Sequence, residues 1–156
     1  AGASPAAPAI AARKRFNWKL VTTWPPNFPI FQEGVEKFAK DIEEMSDRRL
    51  RISVYAGGEL VPALQTFDAV SQGTVQMGHG AAYYWSGKVP AAQFFTAVSF
   101  GMNAQGKNAW RSKGGGRNLW RAIYKPCNLV PFPMRNTGVQ LGGWFCKAIH
   151  AIADLK

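Results

Sequence analysis

With 156 residues, 47% of them hydrophobic, the chain has material for a sizeable core, which excludes disorder over most of its length. A formal net charge of +10, from 19 Lys and Arg against 9 acidic residues, raises the question of an anionic partner such as nucleic acid. The positives are scattered as Arg13-Lys14-Arg15, Arg48-Arg49 with Arg51, Arg111 with Lys113 and Arg117 with Arg121, so they read as solvated charge and leave a basic nucleic-acid-binding module as the lesser alternative.

The chain opens on Ala-Gly-Ala-Ser-Pro-Ala-Ala-Pro-Ala-Ile-Ala, and Ala9-Ile10-Ala11 has the small-x-small form of a signal-peptidase site. Residues 1–11 are therefore expected to be a residual signal-peptide tail, with the mature, exported chain starting near Ala12; a disordered Ala/Pro-rich leader is the alternative. No apolar run approaches the roughly 20 residues of a membrane helix.

Trp18, Leu20 and Thr22 alternate with Lys19, Val21 and Thr23, which predicts a strand stopped by Trp24-Pro25-Pro26. Phe31, Val35, Phe38, Ala39, Ile42 and Met45 fall on one helical face, and Leu50, Ile52 and Val54 alternate as the next strand, completing a βαβ unit. Pro62 is placed to start a second helix running to Gln72-Gly73, and Val75 with Met77 predicts a short third strand. Ligands of open α/β sheets sit beyond the carboxyl ends of strands. That rule points to Trp24 and Asn27 after the first strand and to Tyr83-Tyr84-Trp85 after the third, although each ring is equally suited to packing core. A tyrosine hydroxyl in such a place hydrogen-bonds a carboxylate or keto oxygen while its ring excludes water.

Lys107 to Tyr124 carries a helical pattern interrupted by Gly114-Gly115-Gly116, which lacks the Lys-Ser/Thr pair of a P-loop and reads as a helix junction. Leu129 to Pro133 predicts an extended segment. His79 and His150 have no second metal ligand at a recognised spacing, no Ser/His/Asp, Cys/His or paired-carboxylate signature occurs, and Cys127 and Cys146 default to unpaired, partly buried thiols; an enzyme is not indicated. The stretch Asn136-Thr-Gly-Val-Gln-Leu-Gly-Gly-Trp-Phe145 has the composition of a pocket. Its central amide, Gln140, can give oxygen to a hard cation and NH2 to a ligand oxygen; taken alone, the commoner role of such an amide is a hydrogen-bonded core or turn residue.

Trp18-Lys-Leu-Val-Thr-Thr-Trp-Pro25, Tyr55-Ala-Gly-Gly-Glu-Leu-Val-Pro62, Phe67-Asp-Ala-Val-Ser-Gln-Gly73, Met77-Gly-His-Gly-Ala-Ala-Tyr-Tyr-Trp85 and Asn136 to Phe145 together resemble the solute-binding proteins of tripartite ATP-independent periplasmic (TRAP) transporters, in the branch that takes α-keto acids and related carboxylates. The resemblance implies an α/β, periplasmic-binding-protein-like (type II-like) fold, with residues 12–126 as a first lobe and 127–156 as the crossover and start of a second. It implies a soluble periplasmic receptor for a small organic acid such as pyruvate, delivering it to TRAP membrane subunits. No catalytic cofactor and no nucleic acid are implied, and a homodimer is compatible with the family. By the same resemblance, Gln140 would hold a bound sodium or calcium ion that also touches the substrate, Tyr83 or Tyr84 would contact substrate oxygens, and Trp24 and Asn136 would line the cleft.

The family has two lobes closing on the ligand and a carboxylate-clamping Arg beyond the position of Lys156, so this chain is expected to be truncated and a weak binder alone. Asp47-Arg48 stands where the family carries a glycine turn and Met134-Arg135 where a small residue and Gly precede Asn136; both replacements are expected to strain the backbone.

Overall fold

The computed structural model describes residues 14–138 and 146–155. The leader at 1–11 and Gln140, with its neighbours from Val139 to Phe145, lie outside the described residues. Three parallel strands, β1 (Phe16–Thr22), β2 (Leu50–Tyr55) and β3 (Met77–His79), form a sheet in the order β2-β1-β3. Helix α1 (Gln32–Met45) crosses from β1 to β2, and α2 (Thr66–Ser71), preceded by a 3-10 turn at Ala63–Gln65, crosses back to β3 on the other side of β1.

This topology explains why β1 becomes wholly buried towards its carboxyl end. A central parallel strand is covered on both faces, so its successive side chains serve two cores. Leu20 packs with Val35, Ala39 and Ile52 beneath α1, whereas Val21 packs with Ala69 and Val75 beneath α2. The helical stripe of α1 is confirmed at Val35 and Ala39, but its last residue, Met45, is 83% exposed and contributes nothing to the core.

The third strand begins two residues later than expected. Val75 is buried against α2 without entering the ladder, and pairing with β1 starts at Met77, opposite Leu20. The helix expected from Pro62 is divided into the 3-10 turn and α2.

Helices α3 (Ala104–Lys113) and α4 (Gly116–Tyr124) meet at the glycine triplet, as anticipated: Gly115 has φ +80° and Gly116 lies so close to the Trp110 ring that a Cβ would stand 2.6 Å from it. Asn103 caps α3 by accepting a 2.8 Å bond from the Gly106 amide. The pair delivers Trp120 and Tyr124 to a core shared with Phe67, Trp85 and Phe95, in which Phe95 stacks on Trp120 at 5.3 Å. Lys107 departs from the pattern of solvated cations. Its buried ammonium donates to the Phe94 carbonyl at 2.8 Å and faces the Trp110 ring, and burial, followed by the charge of Arg111, pushes its pKa down.

The two suspected backbone departures separate. Asp47 and Arg48 both adopt left-handed φ, 52° and 56°, where glycine would be unstrained, whereas Met134 and Arg135 are not in that region. Cys127 is half-buried and Cys146 is exposed rather than partly buried; neither is disulfide-bonded. Among the described residues, no helix is long and apolar enough to cross a membrane.

Candidate functional site

The chain leaves β1 towards α1 on one side and leaves β3 on the other, so the carboxyl ends of these neighbouring strands form the point where the connections diverge. A crevice at such a point is the standing ligand position in open α/β sheets. The two ends are tied together: the Thr23 amide donates to the His79 carbonyl at 3.0 Å, extending the ladder by one bond. Gly80 then lets the chain pass close to its neighbours, since a Cβ there would stand 2.6 Å from the Trp85 ring and 2.8 Å from Cγ2 of Thr23.

Trp24 is buried beside these strand ends. Its indole stacks on Phe31 at 4.5 Å and on Phe28 at 5.8 Å, and Tyr84 tilts against it at 5.9 Å. Its Nε1–H donates to Nδ1 of His79 at 2.8 Å. An indole N–H can only donate, so Nδ1 is the unprotonated nitrogen and the ring proton of neutral His79 sits on Nε2, making that atom a donor. Burial, and then the positive charge of Arg135, lower the pKa of His79 from 6.5 to about 4.

Tyr83 and Tyr84 follow on a 3-10 turn, Ala82–Trp85, with their rings edge to face at 4.7 Å and both substantially exposed. Trp85 turns the other way, into the core, and bonds the Leu64 carbonyl at 3.2 Å. Burial, and then a side-chain hydrogen bond with the neighbouring Tyr83, raise the pKa of Tyr84, so its hydroxyl stays protonated at neutral pH. The amino end of α1 is fixed to the end of β1 by a buried relay in which Thr22 donates to Gln32 at 2.7 Å and Gln32 donates to Glu36 at 3.0 Å. The intervening loop holds Asn27 and Ile30 at φ 59° and 66°, the latter a costly conformation for a β-branched residue.

Of the site residues expected from sequence, the structure brings Trp24, Tyr83 and Tyr84 together. Asn136 is exposed and accepts a bond from the Gly138 amide at 2.5 Å, without a hydrogen bond or ring contact to those three. Gln140 lies outside the described residues. Two residues that sequence reasoning passed over, His79 and Arg135, join the cluster. The only signal for His79 was its place at the end of a strand flanked by glycines, and for Arg135 its standing where the family carries the Gly that precedes Asn136.

The described face is rich in donors, namely Nε2–H of His79, the tyrosine hydroxyls and the Arg135 guanidinium, which suits an anion. A hard cation needs several oxygen ligands, and no group of three His, Cys, Asp or Glu side chains is assembled among the described residues.

Comparison with known proteins fits this geometry. The profile of the bacterial extracellular solute-binding protein family 7 matches residues 20–156. The chain is 47% identical over 139 residues to a monocarboxylate 2-oxoacid-binding periplasmic protein of Nostoc sp., spanning 89% of this chain and 38% of that protein. A TRAP periplasmic solute-binding protein of Pseudoalteromonas atlantica, with bound sodium and pyruvate, superposes with a TM-score of 0.86 at 47% identity over 92% of this chain and 44% of that one. A counterpart from Colwellia psychrerythraea, with bound calcium and pyruvate, gives a TM-score of 0.87 at 46% identity with the same coverage. The chain thus spans less than half the length of the relatives it matches.

Proposed function

This chain belongs to the bacterial extracellular solute-binding protein family 7, and from that premise we propose that it captures a 2-oxoacid such as pyruvate, together with a sodium or calcium ion, for delivery to a TRAP-type membrane transporter. The observation that carries the proposal is the cluster of Trp24, His79 and Tyr84 at the carboxyl ends of the neighbouring strands β1 and β3. In this reading the tyrosine hydroxyls of Tyr84 and Tyr83 donate to the acid's oxygens, and Trp24 walls the site and orients His79. Asn136 lines the cleft, and Gln140 gives its amide oxygen to the cation. Residues 12–126 form a first lobe and 127–156 lead into a second, and closure of the two over the ligand converts occupancy into a shape that membrane subunits recognise. Such a receptor works in the periplasm and performs no bond-making chemistry.

Calorimetry of the full-length protein with pyruvate, with and without sodium or calcium, tests this. Binding is expected only with the cation present, and Gln140→Ala is expected to remove the cation requirement along with most of the affinity. Failure to bind any 2-oxoacid, with steeply salt-dependent association with DNA in its place, would overturn the proposal in favour of a basic nucleic-acid-binding module.

A further inference from the structure

Basic residues that lie far apart in sequence meet at the amino end of the sheet. Parallel pairing sets Phe16 opposite Leu50 and Asn17 opposite Arg51, and the Phe16 amide donates to the Arg49 carbonyl at 2.7 Å. The residues that lead into the two strands, Lys14-Arg15 and Arg48-Arg49, are thereby set side by side, with Arg51 next to them. All five are exposed, and the ion pairs among the described residues, Lys37 with Asp41 and Lys88 with Asp68, include none of them. Glu43, Glu44 and Asp47 are the acidic residues close to them in sequence, so positive charge prevails at this end. Arg48 holds a left-handed φ of 56° while exposed, a backbone cost that packing does not return.

Large apolar groups stand among these cations. β1 is exposed from Phe16 to Lys19, and its alternation turns Phe16 and Trp18, 43% and 37% exposed, to the same face as Leu20. Met45, which ends α1 just before the turn into β2, is exposed as well. Lys14 holds its ammonium over the Phe16 ring, 5.2 Å from the centroid. A ring face so covered is closed to a stacked base, which disfavours single-stranded nucleic acid. Aromatic rings interleaved with Lys and Arg on flexible arms suit the boundary of an anionic bilayer instead. Rings settle there at headgroup level, and the cations need no fixed register with the lipid charges.

We propose that the amino end of this sheet, formed by Phe16, Trp18 and the five cations around them, is a docking surface for the anionic headgroups of a bilayer. Trp24, His79 and Tyr84 gather at the opposite, carboxyl end of the strands, so contact with lipid leaves them uncovered, and the proposal does not depend on what they bind. Each cation close to such a surface multiplies partitioning by about fivefold.

The test is co-sedimentation of the full-length protein with vesicles of phosphatidylglycerol and phosphatidylcholine in equal parts, against vesicles of phosphatidylcholine alone. Wild type is expected to bind the anionic vesicles and to be released by salt. Equal binding to both kinds overturns the proposal, and capture of a single-stranded oligonucleotide without binding to anionic vesicles replaces lipid by nucleic acid. Arg48→Gly combined with Arg51→Gln removes two cations and relieves the backbone at 48, so partitioning is expected to fall about 25-fold with Tm unchanged or higher. Lys113→Gln combined with Arg117→Gln makes the same change in net charge at exposed positions of α3 and α4, and is expected to leave partitioning within about twofold. Equal losses in the two double variants would show a response to net charge alone and overturn the assignment to this end. Brominated phosphatidylglycerol is expected to quench tryptophan emission in wild type and to lose most of that effect in Trp18→Phe. Quenching that persists in Trp18→Phe would put another tryptophan at the bilayer and overturn the assignment likewise.

Discussion

His79 makes acid sensitivity a measurable property of this site. The native ring accepts a proton only near pH 4, because burial and the charge of Arg135 oppose it, whereas an unfolded chain protonates the same ring near 6.5. Between those values the unfolded state binds more protons, so stability falls as pH drops through the window from 6.5 to about 4. Integrated from pH 7 to pH 5, the loss is about 2 kcal/mol, a large part of the roughly 5–15 kcal/mol by which domains are stable. Urea unfolding followed by tryptophan fluorescence should show the midpoint lowered by about 1 M over that interval. His79→Gln retains an oxygen to accept from Trp24 and cannot titrate, so most of the pH 7 to 5 loss should vanish in it. An equal loss in both proteins, or a His79 ring seen by NMR to titrate near its ordinary value, would refute the reasoning.

Thr22→Val keeps the shape of a residue that is 1% exposed but withdraws the hydroxyl from Gln32, leaving a buried amide oxygen unmet. A destabilisation of about 1–3 kcal/mol is expected from chemical denaturation, and a neutral result would show that the Gln32 amide finds another donor. Leu20→Ala opens a void where the strand packs on Val35 and Ile52 beneath α1, and should cost about 3 kcal/mol by the same measurement.

The βαβ unit was legible because its signals are local. Trp18, Leu20 and Thr22 alternate, Val35, Ala39 and Ile42 keep helical spacing, and Ile52 and Val54 mark the returning strand. The third strand was displaced because Val75 looks like a strand residue on hydrophobicity alone, whereas its burial comes from α2 and its amide bonds the Ala69 carbonyl instead of the ladder. The aromatic half of the site was also readable, since position after a strand end is a feature of chain order. Its charged half was not: nothing near residue 79 in sequence announces the positive charge of Arg135, whose side chain packs against Gly34 of α1. A glycine in the first turn of α1, without positive φ to justify it, was the one local hint. Similarly, Asp47 and Arg48 were suspect from the absence of glycine, and their paired left-handed φ values bear that out, but Met134 and Arg135 obey ordinary backbone geometry.

The division of burial within the site separates two kinds of mutational effect. Trp24 is 8% exposed, bonded through its indole and stacked on Phe31, while the backbone beside it is tied to His79 and Gly80 has no room for a side chain. This part is organised by protein contacts alone and needs no ligand to hold its form. Tyr83, Tyr84 and Arg135 are instead exposed, with Tyr84 bonded through its side chain to Tyr83. Substitution at Trp24 should therefore act first on stability and only through His79 on binding. Loss of the hydroxyl in Tyr84→Phe removes only a bond to the exposed Tyr83 side chain, so it should leave stability within about 0.5 kcal/mol and appear in affinity for the acid. If Tyr84→Phe proved as destabilising as a truncation of Trp24, the tyrosines would belong to the packed floor, and their proposed contact with the acid would fall.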